Sequence, residues 1–139
     1  MEKFIWTDDI SVDVEEIDEQ HRHFIEIVNS LVDFVNQGSA DRHELMVRAM
    51  QLGDYALIHF STEEDHFEKF QYEHAVAHKA VHDQYRVQFR DILDQIRDEK
   101  NDVKQLAKHA ADFSGNWLIH HIKVMDRQFT QSFHEHGLM

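Results

Sequence analysis

The chain has 139 residues, a formal net charge of −13, no cysteine, no proline and 13 histidines. The acidic balance argues against nucleic acid and anionic membrane surfaces as partners, because both attract clustered lysine and arginine. Without cysteine there is no disulfide, no thiolate nucleophile and no metal site built on thiolates. No apolar run is long enough for membrane insertion, and the first residues lack the pattern of a secretion signal, which favours a cytoplasmic location.

The lack of proline and the presence of only four glycines favour long helices, and the length suits one domain over residues 1–139. An extended N-terminal arm is predicted over about residues 1–13, followed by four helices. These helices are predicted over about residues 14–37, 41–68, 74–99 and 102–129. The tail after about Thr130 is expected to dock only loosely, as chain ends often do.

Three residues carry the signals that end or begin these helices. Gly38 is predicted to end the first helix in the left-handed conformation. Asp41 opens an Asp-x-x-Glu capping box at the start of the second helix. Asp102 can cap the fourth helix after a charged run.

Each predicted helix has a seam of residues spaced by three and four, which marks the face that a helical bundle buries. Four such helices with short connections predict an all-α, up-down-up-down antiparallel four-helix bundle. The seams are apolar except for six residues: His21, His59, Glu63, His78, His82 and His121. These lie near the start of the first and third helices and the end of the second and fourth, which meet at one end of such a bundle. The six side chains are therefore expected to converge in one layer.

Buried imidazoles and carboxylates are costly unless something pairs with them, and a metal ion satisfies both kinds of group. The pairs His59–Glu63 and His78–His82 are each spaced by four residues, which places the members of a pair on one helix face. Five imidazoles with carboxylates exceed one tetrahedral zinc site and suit two metal ions. A single seam histidine is more often a hydrogen-bonded core residue, but convergence from four helices favours metal binding.

The remaining titratable residues are given simpler interpretations. Acidic residues outside the layer are predicted to form a solvated face. The other eight histidines are predicted to lie at the surface or behind the metal ligands: His23, His43, His66, His74, His109, His120, His134 and His136.

Four motifs resemble those of the hemerythrin family, especially its single-domain bacterial members. They are IDEQH at 17–21, HFSTEE at 59–64, HKAVH at 78–82 and WLIHHIKVMD at 117–126. The resemblance implies a non-haem di-iron site with an oxo or hydroxo bridge, at which dioxygen binds reversibly. It implies that His78, His82 and His121 hold one iron and that His21 and His59 hold the other. Glu63 and Asp126 are implied to bridge both irons.

Asp126 follows His121 by five residues, which would place the two side chains about 140° apart on an ideal α-helix. A π-type bulge between these two residues would bring them towards one face, and we expect one there.

The resemblance places four large side chains around the oxygen-binding position: Phe60, Trp117, Leu118 and Ile122. None has an acid–base group, so binding of dioxygen is favoured over turnover and the chain is expected not to be an enzyme. Two alternatives stay open. One is an oxygen or iron sensor acting on a separate protein partner that the sequence does not identify. The other is a di-iron oxidase or peroxidase, although a single Glu-x-x-His at 63–66 argues against the ferritin-like kind, which has two.

Overall fold

Four long helices form the body of the protein in a computed structural model that describes all 139 residues. They are α1 (Glu15–Gln37), α2 (Arg42–Lys69), α3 (Ala75–Arg97) and α4 (Val103–Val124). Consecutive helices pack side by side, and α1 also packs on α4, which closes the bundle. There is no strand, so the predicted all-α up-down-up-down bundle is confirmed. None of the helices combines the length and hydropathy needed to cross a lipid bilayer.

The three predicted helix caps are all present. Gly38 ends α1 with φ 68° and ψ 21°, and its N–H donates to the carbonyl of Val35. The Asp41 side chain accepts a hydrogen bond from the N–H of Glu44 at the start of α2. The Asp102 side chain accepts one from the N–H of Gln105 at the start of α4. Each cap satisfies a backbone group that the helix end would otherwise leave unpaired.

The backbone at the end of α4 does not form the expected π-type bulge. The N–H of Met125 donates to the His121 carbonyl at 2.8 Å, and the α-helix has already ended at Val124. A 3-10 helix follows over Asp126–Phe129, with the N–H of Gln128 donating to the Met125 carbonyl at 3.1 Å. The bulge prediction is therefore wrong, because the helical ladder tightens after Met125 instead of widening.

The bundle interior is apolar apart from one layer. Thirty-one buried hydrophobic residues form a continuous core. The buried polar side chains are Asp18, His21, His59, Glu63, His78, His82, Ser114, His121 and Asp126. Seven of these nine are the residues singled out by sequence, so the polar interior is essentially the candidate site.

The C-terminal tail docks firmly, contrary to the expectation of a loose end. A short helix, α5 (Thr130–Glu135), buries Phe133 completely, and the Phe133 ring stacks on Phe129 with 4.2 Å between ring centroids. The N–H of Glu15 donates to the carbonyl of Met139 at 3.1 Å, which joins the tail to the start of α1. The apolar area of Phe133 stabilises this docking and covers the polar end of the bundle.

The N-terminal arm is held along α1 and α4 by specific contacts. The Asn29 side chain makes two hydrogen bonds with the backbone of Phe4, accepting from its N–H at 2.9 Å and donating to its carbonyl at 2.8 Å. The Arg22 guanidinium lies 4.0 Å from the Trp6 ring centroid. The Phe4 ring fills the space that a side chain at Gly115 would occupy.

Replacing Gly115 with valine should dislodge the arm, because a Cβ at this position would lie 2.2 Å from the Phe4 ring. Overpacking of this kind costs about 1–3 kcal/mol. We expect faster amide hydrogen exchange in the arm, with α2 and α3 unchanged. Phe4→Ala removes the same contact from the other side and should loosen the arm equally. An arm that stays protected in both variants would show that this contact does not hold it.

Candidate metal centre

All seven predicted site residues meet at one end of the bundle. His21 lies near the start of α1, His59 and Glu63 near the end of α2, and the other four candidate side chains come from α3, α4 and the 3-10 helix after α4. Each is at most 2 % exposed. Antiparallel neighbours bring these helix ends to the same level, so the convergence follows directly from the topology.

The seven side chains form two groups that share their carboxylates. One group contains Glu63, His78, His82, His121 and Asp126, and the other contains His21, His59, Glu63 and Asp126. Within each group the potential ligand atoms lie within 4.8 Å of one another. In the first group, the Nε2 atom of His121 is 3.0 Å from Nε2 of His78 and 3.1 Å from Nε2 of His82.

Glu63 turns one carboxylate oxygen to each group. Its Oε1 atom lies 3.2 Å from Nε2 of His82 and 3.6 Å from Nε2 of His78. Its Oε2 atom lies 3.2 Å from Nε2 of His59 and 3.7 Å from Nε2 of His21. A carboxylate placed in this way can contact two metal ions at once.

The two carboxylate oxygens of Asp126 also face different groups. Its Oδ1 atom lies 3.0 Å from Nε2 of both His78 and His121, and its Oδ2 atom lies 2.9 Å from Nε2 of His21. The two carboxylates therefore stand between a group of three imidazoles and a group of two. The second group therefore offers one potential nitrogen ligand fewer than the first.

The polar atoms at the centre converge without pairing properly with one another. Both oxygens of Glu63 and of Asp126, together with Nε2 of His21 and His59, make no aligned hydrogen bond despite full burial. Buried polar atoms without hydrogen bonds are rare, and each costs free energy. A group of six such atoms therefore needs another binding partner. Imidazole nitrogens and carboxylate oxygens together suit divalent transition metals, and the donor set fits two such ions.

The pKa values of the histidines in the cluster depend on two opposing effects, burial and the charge of neighbouring carboxylates. Burial disfavours the charged form of His21, but the Asp126 and Glu63 carboxylates outweigh it and raise the His21 pKa to about 9. For His82, burial is likewise outweighed, here by Glu63 and Glu64, and the pKa rises to about 9. Burial dominates at His59 and lowers its pKa.

The carboxylates respond in the opposite direction. Burial raises the pKa of Glu63 and of Asp126, and their mutual repulsion adds to this for Glu63, but the surrounding histidines hold both pKa values well below the usual range. Both carboxylates are therefore ionised near neutral pH and stand ready to bind cations.

Aromatic rings enclose the histidines. Phe60 is fully buried and stacks on His82 with 4.1 Å between ring centroids, and the half-buried Trp117 stacks on His121 at 4.4 Å. Leu118 and Ile122 are fully buried on α4, close in sequence to His121. The fully buried Phe24 ring of α1 also lies edge-on to His59, with 5.9 Å between ring centroids.

Two supporting residues were missed by sequence reasoning. The Glu64 carboxylate lies 2.7 Å from Nδ1 of His82 and also bonds to Arg86, so it does not belong to a solvated face. The Gln20 Oε1 atom lies 2.8 Å from Nδ1 of His59. Their only sequence signal is that each is adjacent to a site residue. Of the other eight histidines, six are exposed, and His66 and His134 are half-buried.

Loading the protein with a divalent metal at pH 7 should release one proton from each of His21 and His82. Their pKa values of about 9 leave both rings protonated in the metal-free protein, and a metal can bind Nε2 only after the proton leaves. Metal affinity should therefore rise with pH up to about 9. The stability that these protonated rings give the metal-free protein should be complete below pH 6.5 and lost as the pH rises through about 9. A pH-stat titration with cobalt(II) measures the release, and loading without proton release would contradict these assignments.

The sequence and the fold are similar to those of hemerythrins. The family model of the hemerythrin HHE cation-binding domain matches residues 12–131. A bacteriohemerythrin of Clostridium acetobutylicum is 28 % identical over 128 residues, covering 91 % of this chain and 98 % of its own length. A bacteriohemerythrin of Stenotrophomonas maltophilia is 30 % identical, covering 98 % of this chain and 85 % of its own. The crystal structure of a wild-type hemerythrin superposes with a TM-score of 0.83 at 28 % identity, over 92 % of this chain and 95 % of that one. The chain belongs to the hemerythrin family.

Proposed function

We propose that this protein binds dioxygen reversibly at a di-iron centre, as a carrier, store or delivery protein. The observation that carries the proposal is the division of seven buried ligands into three imidazoles, two imidazoles and two shared carboxylates. Such a division would hold two metal ions at fixed separation and leave one of them short of a ligand. The bacteriohemerythrins that resemble the chain support this assignment.

In the proposed centre, His78, His82 and His121 would hold one iron, His21 and His59 would hold the other, and Glu63 and Asp126 could contact both. When bound there, two ferrous ions would supply the two electrons that reversible dioxygen binding requires. The two buried carboxylates offset part of the positive charge of the ions. The helices hold the imidazoles in place before any ion arrives, since every ligand is packed inside the bundle.

The surroundings of the two-histidine group favour binding over catalysis. Phe24 and Phe60 flank His59 with rings that can neither give nor take a proton. The nearby groups that could exchange protons are already engaged, since Glu64 is bonded to His82 and Arg86. A dry, crowded chamber without a free base would protect bound dioxygen from water and protons.

Anaerobic loading with ferrous iron, followed by air and then by argon purging, tests this proposal. Visible absorption should develop a charge-transfer band in air, lose it under argon and regain it over repeated cycles. A band that decays once and does not return, or one that is discharged by an added reducing substrate with product formation, would instead indicate an oxidase or peroxidase.

Leu118→Ala should shorten the life of the oxygen-loaded protein several-fold. Leu118 is fully buried three residues before His121, on the same face of α4, and its removal leaves a cavity that admits water. The rate of irreversible conversion to the ferric protein measures the effect. Leu45→Ala is the matched control, since it empties a fully buried site at the start of α2, at the other end of the bundle. Equal rates in the two variants would contradict a protective role for Leu118.

A further inference from the structure

Two histidine rings of the cluster, those of His82 and His59, are hydrogen-bonded at their outer nitrogens to side chains of different charge. In each ring Nε2 faces the cluster centre and Nδ1 faces outward. His82 meets the Glu64 carboxylate at 2.7 Å, whereas His59 meets the neutral Gln20 side-chain amide at 2.8 Å. One partner therefore carries a full negative charge, and the other carries none.

Glu64 is fixed in its position by a second contact. The Arg86 guanidinium donates to both oxygens of Glu64, at 3.0 and 3.3 Å, and also to Asp83 at 2.7 Å. The Glu64 side chain is only 16 % exposed, so water does little to weaken its bond to His82. The contact between Glu64 and His82 thus joins α2 to α3 at the three-histidine group.

The orientation of Gln20 is also determined by its neighbours. The Thr62 hydroxyl donates to the carbonyl of Ile58 at 2.9 Å, so its oxygen accepts from Nε2 of Gln20 at 3.1 Å. The amide must then present its oxygen to His59, whose Nδ1 carries the proton. His59 is held as a neutral ligand with its Nε2 lone pair directed at the cluster centre.

We propose, building on the di-iron function above, that Glu64 and Gln20 are positioning residues that make the two metal positions unequal. A carboxylate that is hydrogen-bonded to the outer nitrogen of a ligating imidazole makes the ring more basic. The ring then binds the metal more firmly, especially when the metal is in its higher oxidation state. An amide orients the ring without adding charge. Glu64 therefore strengthens the three-histidine position, and Gln20 leaves the two-histidine position weaker and easier to return to the ferrous state. The number of imidazoles has the same effect, because the three-histidine position should bind its metal more tightly than the two-histidine position.

Cobalt(II) titration followed by visible absorption tests the inference without using oxygen binding. The wild type should fill two positions in two steps of unequal affinity. Glu64→Gln, which keeps the hydrogen bond and removes the charge, should weaken the tighter step by roughly tenfold or more. Gln20→Glu should tighten the weaker step and leave the tighter one unchanged. In the iron-loaded protein, the midpoint potential should rise in Glu64→Gln and fall in Gln20→Glu.

Two further variants separate charge from structure. Glu68→Gln removes the same charge from an exposed position four residues further along α2 and should leave both steps as in the wild type. Glu64→Ala removes the hydrogen bond as well as the charge, so it should weaken the tighter step at least as much as Glu64→Gln. If Glu64→Gln matches the wild type while Glu64→Ala does not, Glu64 only orients His82 and the charge-based inference is overturned. A wild type that binds two cobalt ions with steps unaffected by any variant overturns this inference alone, whereas a wild type that cannot bind two ions overturns the proposed function as well.

Discussion

Glu63→Ala should remove both metals and destabilise the bundle. Glu63 is the only residue of α2 that faces both groups, with one oxygen towards His82 and the other towards His59. Its loss also deprives the protonated His21 and His82 rings of a buried counter-charge. Breaking a buried charge cluster by removing one partner typically costs about 3–5 kcal/mol. Metal analysis after ferrous loading and denaturant unfolding of the metal-free protein measure the two effects.

Glu68→Ala provides the control for this experiment. Glu68 lies on the same helix but is exposed, so it should keep two metals per chain and nearly normal stability. If Glu63→Ala also retains two metals per chain, Glu63 does not bridge the positions and the arrangement of the centre must be different.

His59→Ala should remove one metal and spare the other. His59 belongs to the two-histidine group, whereas the three-histidine group keeps all of its imidazoles and both carboxylates. We therefore expect about one metal per chain and no reversible dioxygen binding, since the position that we propose for dioxygen is lost. His82→Ala should instead weaken the three-histidine position. Metal content and the optical titration together distinguish the two outcomes.

His66→Ala is the matched control for His59→Ala. His66 lies on the same helix, but its ring bonds to Glu16, outside the cluster, at 2.7 Å. This variant should bind two metals and dioxygen normally. Equal loss of both metals in His59→Ala would contradict the assignment of His59 to one position only.

The bundle and the convergence of the polar layer could be predicted because they depend on spacing alone. A residue four positions from another lies on the same helix face, so His59 with Glu63 and His78 with His82 already indicated where each helix turns inward. Antiparallel packing then determined which helix ends meet. These inferences need no detail of side-chain geometry. The roles of the seven residues as iron ligands go further than spacing and stay a prediction.

The features that sequence reasoning missed depend on contacts between elements. No glycine or proline marks the end of α4, so nothing in the sequence around Met125 signalled a 3-10 helix. Glu64 lies about 100° around α2 from Glu63, and only the packing of α3 decides whether that direction is solvent or His82. Phe133 lies in too short a segment to show a helical period, although it is fully buried.

The position of Asp126 on the 3-10 helix beyond α4 has a consequence for how the centre is made in the cell. All five histidines of the cluster precede Asp126 in the chain, so a nascent polypeptide contains every candidate nitrogen ligand before the second carboxylate of the cluster has been synthesised. A metal ion that binds before Asp126 is present would have an incomplete set of ligands and could still dissociate. The full donor set of the proposed centre would therefore assemble only after the segment that contains Asp126 has been synthesised.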